Sequence, residues 1–224
     1  MKITLLGQAG LLVQTKNLTI MIDPYFTDSV GEIDPAKHRR IPMDDRYWNV
    51  RPDVLIFTHN HLDHYDPATA ERILHTHSGI TVLCPGSVWS LVRQLGGDHN
   101  YVLFDRHTQW TEENVRFCAV KAAHSDALAI GVVLQAEDKR LYITGDTLYN
   151  SEIFSDLPEQ IDVIFLPVNG VGNNMNPEDA ARFVERSGAR LALPIHVGMF
   201  DGLTGDVLQI PNKVVLATYE SMEV

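Results

Sequence analysis

The chain has 224 residues, 45% of them hydrophobic, and a formal net charge of −11 from 18 basic and 29 acidic side chains. That length and composition suit one globular domain over 1–224 with ample apolar material for a core. The acidic balance excludes non-specific nucleic-acid binding, which relies on basic surface.

Apolar runs bounded by turn residues define the elements. The opening Met1-Lys2-Ile3-Thr4-Leu5-Leu6-Gly7 turns polar too early for a signal peptide. No run is long enough to span a bilayer, so a cytoplasmic protein with no membrane span is expected. Strands are expected at Lys2–Leu6, Gly10–Thr15 and Leu18–Ile22, the last entering Asp23-Pro24. Residues 25–52 form a long polar connection with Pro35, Pro42 and Pro52, and loops of that length are usually functional or mobile. Its basic cluster, Lys37-His38-Arg39-Arg40, reads as solvated loop. Alternation follows: strand 54–57, helix 67–76, strand 80–84, helix 86–95, then strands 101–104 and 115–120.

In the second half, strands are expected at 129–136, 140–144 and 162–166, then a glycine- and asparagine-rich loop at 168–176. Asn176-Pro177 starts a helix that ends near Ser187, with Gly188 as its stop. Strand 191–195 runs into His196, and 213–219 reads as the last strand. Each half places strands first and strand–helix units after, which predicts an α/β domain of four layers, two sheets face to face with helices outside. Cys84 and Cys118 both sit in strand-like runs and read as buried free thiols of a reducing cytosol.

The densest chemistry lies in Thr58-His59-Asn60-His61-Leu62-Asp63-His64-Tyr65-Asp66, three histidines and two carboxylates in nine residues. It follows the apolar run Val54-Leu55-Ile56-Phe57 and precedes Pro67, with Asp66 as the expected capping carboxylate. His59 and His61, two apart in extended backbone, project to one side. Asp63 and His64 follow at the turn and reach a second point. Imidazole and carboxylate at a strand mouth are what a zinc-type metal asks for, and this segment looks built for two. Further ligand-type residues sit directly after other apolar runs: Asp23, His124, Asp146 in Thr144-Gly145-Asp146-Thr147, and His196. Groups that perform chemistry in layered α/β folds collect at such strand ends.

His59-x-His61-x-Asp63-His64, His124, Gly145-Asp146-Thr147 and His196 resemble the signature of the metallo-β-lactamase superfamily in order and approximate spacing. Leu6-Gly7-Gln8-Ala9-Gly10, Asp23-Pro24-Tyr25-Phe26, Arg39-Arg40-x-Pro42 and Pro194-Ile195-His196 further resemble its L-ascorbate-6-phosphate lactonase-like and N-acylphosphatidylethanolamine phospholipase D-like branch. The resemblance implies an αββα sandwich with a site for two divalent ions, zinc or manganese, with iron also accepted, and no organic cofactor. One ion would take His59, His61 and His124, the other Asp63, His64 and His196, with Asp146 bridging. Asp23 would orient the histidine loop from behind. Asp63 and Asp146 are the residues assigned to catalysis, around a metal-bridging hydroxide as nucleophile.

The implied activity is hydrolysis of a lactone, sugar-phosphate-like by the branch it resembles, on a small anionic substrate. Phosphodiester hydrolysis on the same ions is the second reading, and a non-catalytic metal- or partner-binding member the third. A homo-oligomer is compatible with all three. Other candidates have plainer explanations. His75 and His77 end a helix, where a charge is favourable. His38, His99 and His107 read as surface residues. Asn169, Asn173 and Asn174 suit turn chemistry. Asp126 is balanced between bonding a ligand and solvated loop, and Tyr65 between lining the cleft and packing on the helix.

Overall fold

The computed structural model describes residues 1–205 and 209–224. In its first sheet β1 (Lys2–Gly7), β2 (Gly10–Gln14) and β3 (Thr19–Ile22) are antiparallel. The sheet continues in parallel through β4 (Val54–Ile56), β5 (Thr81–Cys84) and β6 (Asn100–Leu103). The second sheet begins with the antiparallel strands β7 (Gln109–Glu112), β8 (Val115–Lys121), β9 (Ile130–Ala136) and β10 (Lys139–Ile143). The parallel strands β11 (Val163–Pro167) and β12 (Leu191–Ile195) complete it. Strand β13 (Ser221–Glu223) returns to pair with β1 at the edge of the first sheet.

The burial pattern explains the layers. Strands β4 and β5 are buried at every position, as parallel strands covered on both faces must be. Between the sheets, Ile3, Val13, Ile20 and Ile56 meet Phe117, Val132, Ile143 and Phe165. In the connection at 25–52 lies a short helix, α1 (Ser29–Ile33). Helices α2 (Pro67–Thr76) and α3 (Gly86–Val92) cover the outer face of the first sheet through Ile73, Leu74 and Val88. Helix α4 (Pro177–Ser187) covers the second through Ala180, Phe183 and Val184, whose spacing of three and four makes one apolar stripe. The Asn176 side chain accepts from Asp179 N at 2.8 Å, and Gly188 ends α4 with a left-handed φ of 66°. The result is the four-layer αββα sandwich.

Some local expectations are corrected. Residues 213–219 form no strand: Lys213 makes an isolated bridge to Ala192, and the edge strand comes later as β13. The hairpin strand β7, with its mixed polar sequence Gln-Trp-Thr-Glu, was missed because only its partner β8 carries an apolar face. Asp66 stands at the N-cap of α2 without accepting a backbone N–H; its Oδ2 takes the hydroxyls of Thr27 and Thr69. Cys84 is buried and Cys118 half-buried, and both thiols are free. No helix among the described residues is long and apolar enough to cross a membrane.

Candidate metal centre

The strand ends β3, β4, β8, β10 and β12 deliver Asp23, the 59–64 segment, His124, Asp146 and His196 to one place. Two groups of donors form there. His59, His61, His124 and Asp146 make one, and Asp63, His64 and His196 the other, each with donor atoms within 4.8 Å of one another. In the first, His61 Nδ1 stands 3.1 Å from His124 Nε2. In the second, His64 Nε2 is 3.0 Å from His196 Nε2, and Asp63 Oδ2 is 3.3 Å from the latter. Asp146 faces both groups, with Oδ1 at 3.2 and 3.1 Å from His64 and His196 Nε2, and Oδ2 at 4.0 Å from His124 Nε2.

These atoms crowd without satisfying one another. His59 Nε2 is buried with no hydrogen-bond partner, and Asp146 Oδ1, close to two imidazoles, is aligned with neither for a hydrogen bond. Such orphans are rare and costly in a folded interior. Nitrogen lone pairs and carboxylate oxygens aimed at common points are the arrangement a divalent cation completes, and three-histidine and mixed His/Asp sets suit zinc-type ions. The residues therefore fit metal ions.

Charge and burial set the protonation. Burial, with the His64 charge adding to it, pushes His59 well below the usual imidazole range, and burial lowers His124 as well. Burial opposes a charge on His64 and His196 too, but the neighbouring carboxylates, Asp146 foremost, raise both. Asp146 is buried, which favours its neutral form, yet His196 and His64 hold it well below the ordinary carboxylate value. The centre is thus poised as an ion cluster in which cations can replace protons.

The backbone is bent to make it. Asp23, Gln8 and His196 adopt left-handed φ values of 44°, 52° and 61°, costly for residues with a Cβ and typical of functional sites. At Gly145, with φ of 60°, a Cβ would stand 2.7 Å from the Ile130 carbonyl oxygen. Only glycine lets the chain turn there and aim Asp146.

The profile of the Beta-lactamase superfamily domain matches residues 19–197. A UPF0173 metal-dependent hydrolase of Ligilactobacillus salivarius is 31% identical, over 92% of this chain and 90% of its own length. This chain belongs to that family of the metallo-β-lactamase superfamily. Solved structures share the fold. A metallo hydrolase of Ignicoccus hospitalis superimposes with a TM-score of 0.80 at 18% identity, over 100% of this chain and 98% of that one. The metallo-β-lactamase fold protein YhfI of Bacillus subtilis gives 0.74 at 16% identity, over 99% of each chain.

In this superfamily member the donors are held from behind. Asp23 Oδ1 accepts from Thr58 N at 2.8 Å, and Oδ2 from Thr58 Oγ1 at 2.6 Å and His64 Nδ1 at 2.8 Å. The His64 Nε2 lone pair is thereby turned toward the cluster. Gln8 had no assigned role in the sequence, yet it is buried after β1 and its Nε2 donates to Asp63 Oδ2 at 2.8 Å beside His196. Asn174 exceeds turn chemistry. Its Nδ2 donates to Asp146 Oδ2 at 2.9 Å, and its Oδ1 accepts from Thr147 N at 3.1 Å. Asn169 lies 3.3 Å from His196 Nδ1, and the Asn173 carbonyl 3.3 Å from His124 Nδ1. The 168–176 loop is the outer support of the centre. Its asparagines were legible only as turn formers because the contacts cross tens of residues.

Asp126 is in neither donor group. Its Oδ2 accepts from Asn60 N at 3.2 Å and Ser87 Oγ at 2.6 Å, tying the histidine segment to α3. Tyr65 packs edge-on against Phe57 at 5.2 Å in the helix layer. His75, His77, His38, His99 and His107 all lie outside the two donor groups. His77 is half-buried and burial lowers its pKa, which disfavours the charge expected at the end of α2. His99 is half-buried rather than a surface residue, 2.9 Å from the Leu74 carbonyl. Arg39 is likewise no solvated side chain: its guanidinium donates to the Tyr25 carbonyl and covers the Tyr25 ring.

Asn174→Ala is expected to lower metal affinity and turnover about 10–100-fold while the chain stays folded, the usual scale for a residue that orients a ligand. Metal titration of the folded variant checks this; unchanged affinity would return Asn174 to simple turn chemistry.

Proposed function

We propose that this metal-dependent hydrolase cleaves a small lactone or related ester, with His59, His61 and His124 holding one divalent cation and Asp63, His64 and His196 a second. The observation that carries the reading is Asp146, which presents one oxygen to each donor group at the floor of a cavity of about 420 Å³. Bound there, zinc or manganese ions would acidify a water and polarise the bond it attacks. The chain supplies the rest. Asp23 and Gln8 fix the imidazole and carboxylate behind the reacting centre, and Asn174 fixes Asp146. No serine, threonine or cysteine lines the cavity among the described residues. Cys84 is buried, and burial pushes its thiol far up. Solvent is therefore the nucleophile this geometry favours. A sugar-phosphate-like lactone is the specific substrate suggested by the branch resemblance, an anionic small molecule the broader class, and the cytoplasm the compartment that suits two free thiols.

Elemental analysis of protein purified without chelators should give two metal ions per chain, one per donor group. Activity on a lactone and ester panel should vanish with chelator and return with zinc or manganese. It should also rise with pH through one ionisation near or below neutrality. In heavy-oxygen water the label should enter product in a single turnover. An unlabelled first-turnover product would mean that an enzyme group attacks. Turnover confined to phosphodiesters would replace the lactone reading with the second one.

A further inference from the structure

The cavity over the donor groups is walled unevenly. Its floor is polar, but its outer wall is Val30 of α1, Val171 of the 168–176 loop and Phe200, with Lys37 at the rim. Val171 is 63% exposed, an apolar side chain held at the mouth of a charged site. The wall is braced. Val30 N donates to Tyr25 Oη at 3.1 Å, and the Tyr25 ring meets Phe200 edge-on at 5.8 Å. Further along the same connection, Tyr219 Oη donates to the Pro42 carbonyl at 3.0 Å and accepts from Asp44 N at 3.1 Å. Arg40 N donates to the Met199 carbonyl at 3.0 Å.

The rim charges are unequal. Asp201 Oδ1 accepts from Gly198 N and Leu203 N at 3.0 and 2.9 Å, closing a turn. Lys37 Nζ lies 3.2 Å from Asp34 Oδ2, with both side chains largely in solvent. Exposed pairs of that kind contribute little, so Lys37 exchanges Asp34 for an incoming anion at small cost. In a chain of net charge −11, a cation at this rim gives an anion its local attraction.

Resting on the hydrolase reading, we propose that this wall is a substrate subsite for an apolar body with one anionic end. Val30, Val171 and Phe200 take the apolar body, Lys37 takes the anion, and the bond to be cleaved lies over the donor groups. A polyhydroxylated phosphosugar fits this wall poorly, because its hydroxyls would lose water against three side chains with no polar atom to offer. The inference narrows the substrate class to lactones or esters of apolar acids with a single negative group.

Calorimetry of the metal-loaded protein at low ionic strength, with hexane-1-sulfonate as probe, tests this; a sulfonate is a poor metal ligand, so it reports on the rim. Hexane-1-sulfonate should bind about tenfold or more tighter than methanesulfonate or hexan-1-ol. Lys37→Ala should weaken it about tenfold towards the hexan-1-ol value, and Val171→Ser towards the methanesulfonate value. Equal binding of the three probes, or a sulfonate affinity indifferent to both substitutions, would overturn the subsite. The lactone and ester panel is run on the same samples. Turnover without the sulfonate preference overturns the subsite alone, whereas the preference without turnover supports it and overturns the lactone and ester reading.

Discussion

Asp146→Ala is expected to abolish turnover, by about 10³-fold or more, the scale for deleting one preorganised electrostatic group. Metal content should fall with it, because Asp146 turns one carboxylate oxygen toward each donor group. The fold should survive. Asp23 and Asp63 still face His64, and Asp63 still faces His196, so neither imidazole is left without a carboxylate partner. His77→Ala is the matched control. Its imidazole ends α2 outside the donor groups, and activity and metal content should be unchanged. Elemental analysis and turnover of both variants decide the matter. Equal losses would remove the special role given to Asp146.

Asp23→Ala should act through stability as much as through metal. The side chain is fully buried and accepts three hydrogen bonds, from Thr58 N, Thr58 Oγ1 and His64 Nδ1. Deletion strands the partners, and breaking a buried charged network by removing one member costs about 3–5 kcal/mol. Metal affinity should drop a further 10–100-fold or so, since His64 loses the contact that aims it. Denaturant unfolding of metal-free protein separates the two effects. A stability loss below about 1 kcal/mol would show that Thr58 and His64 find other partners. Asp23→Asn, which keeps the shape, should recover part of the stability and less of the affinity.

The layered architecture was legible because burial writes itself into local pattern. Val54-Leu55-Ile56 and Thr81-Val82-Leu83-Cys84 read as fully covered strands, and Ala180, Phe183 and Val184 as the inner stripe of a helix. Cap chemistry was local too, at Asn176 and Gly188. It misled at Asp66, whose Oδ2 takes the threonine hydroxyls of positions 27 and 69 in place of a helix N–H. The missed strand β7 and the misplaced last strand share a cause. Edge strands need little apolar surface, and their partners lie in other parts of the chain.

By itself the sequence determined the donor types, their order and their position after apolar runs, because metal-binding side chains must be the ones they are and strand ends are set by nearby residues. It also determined that the histidine segment offers two directions from one turn. Only the tertiary structure decided which donors share a point, since His61 meets His124 and Asp63 meets His196 across far-separated loops. The supports Gln8 and Asn174 and the apolar wall of Val30, Val171 and Phe200 were likewise decided there. A hydrogen bond or a wall between segments depends on how two sheets are stacked, and the stacking energy is shared across the whole core rather than written at any one residue.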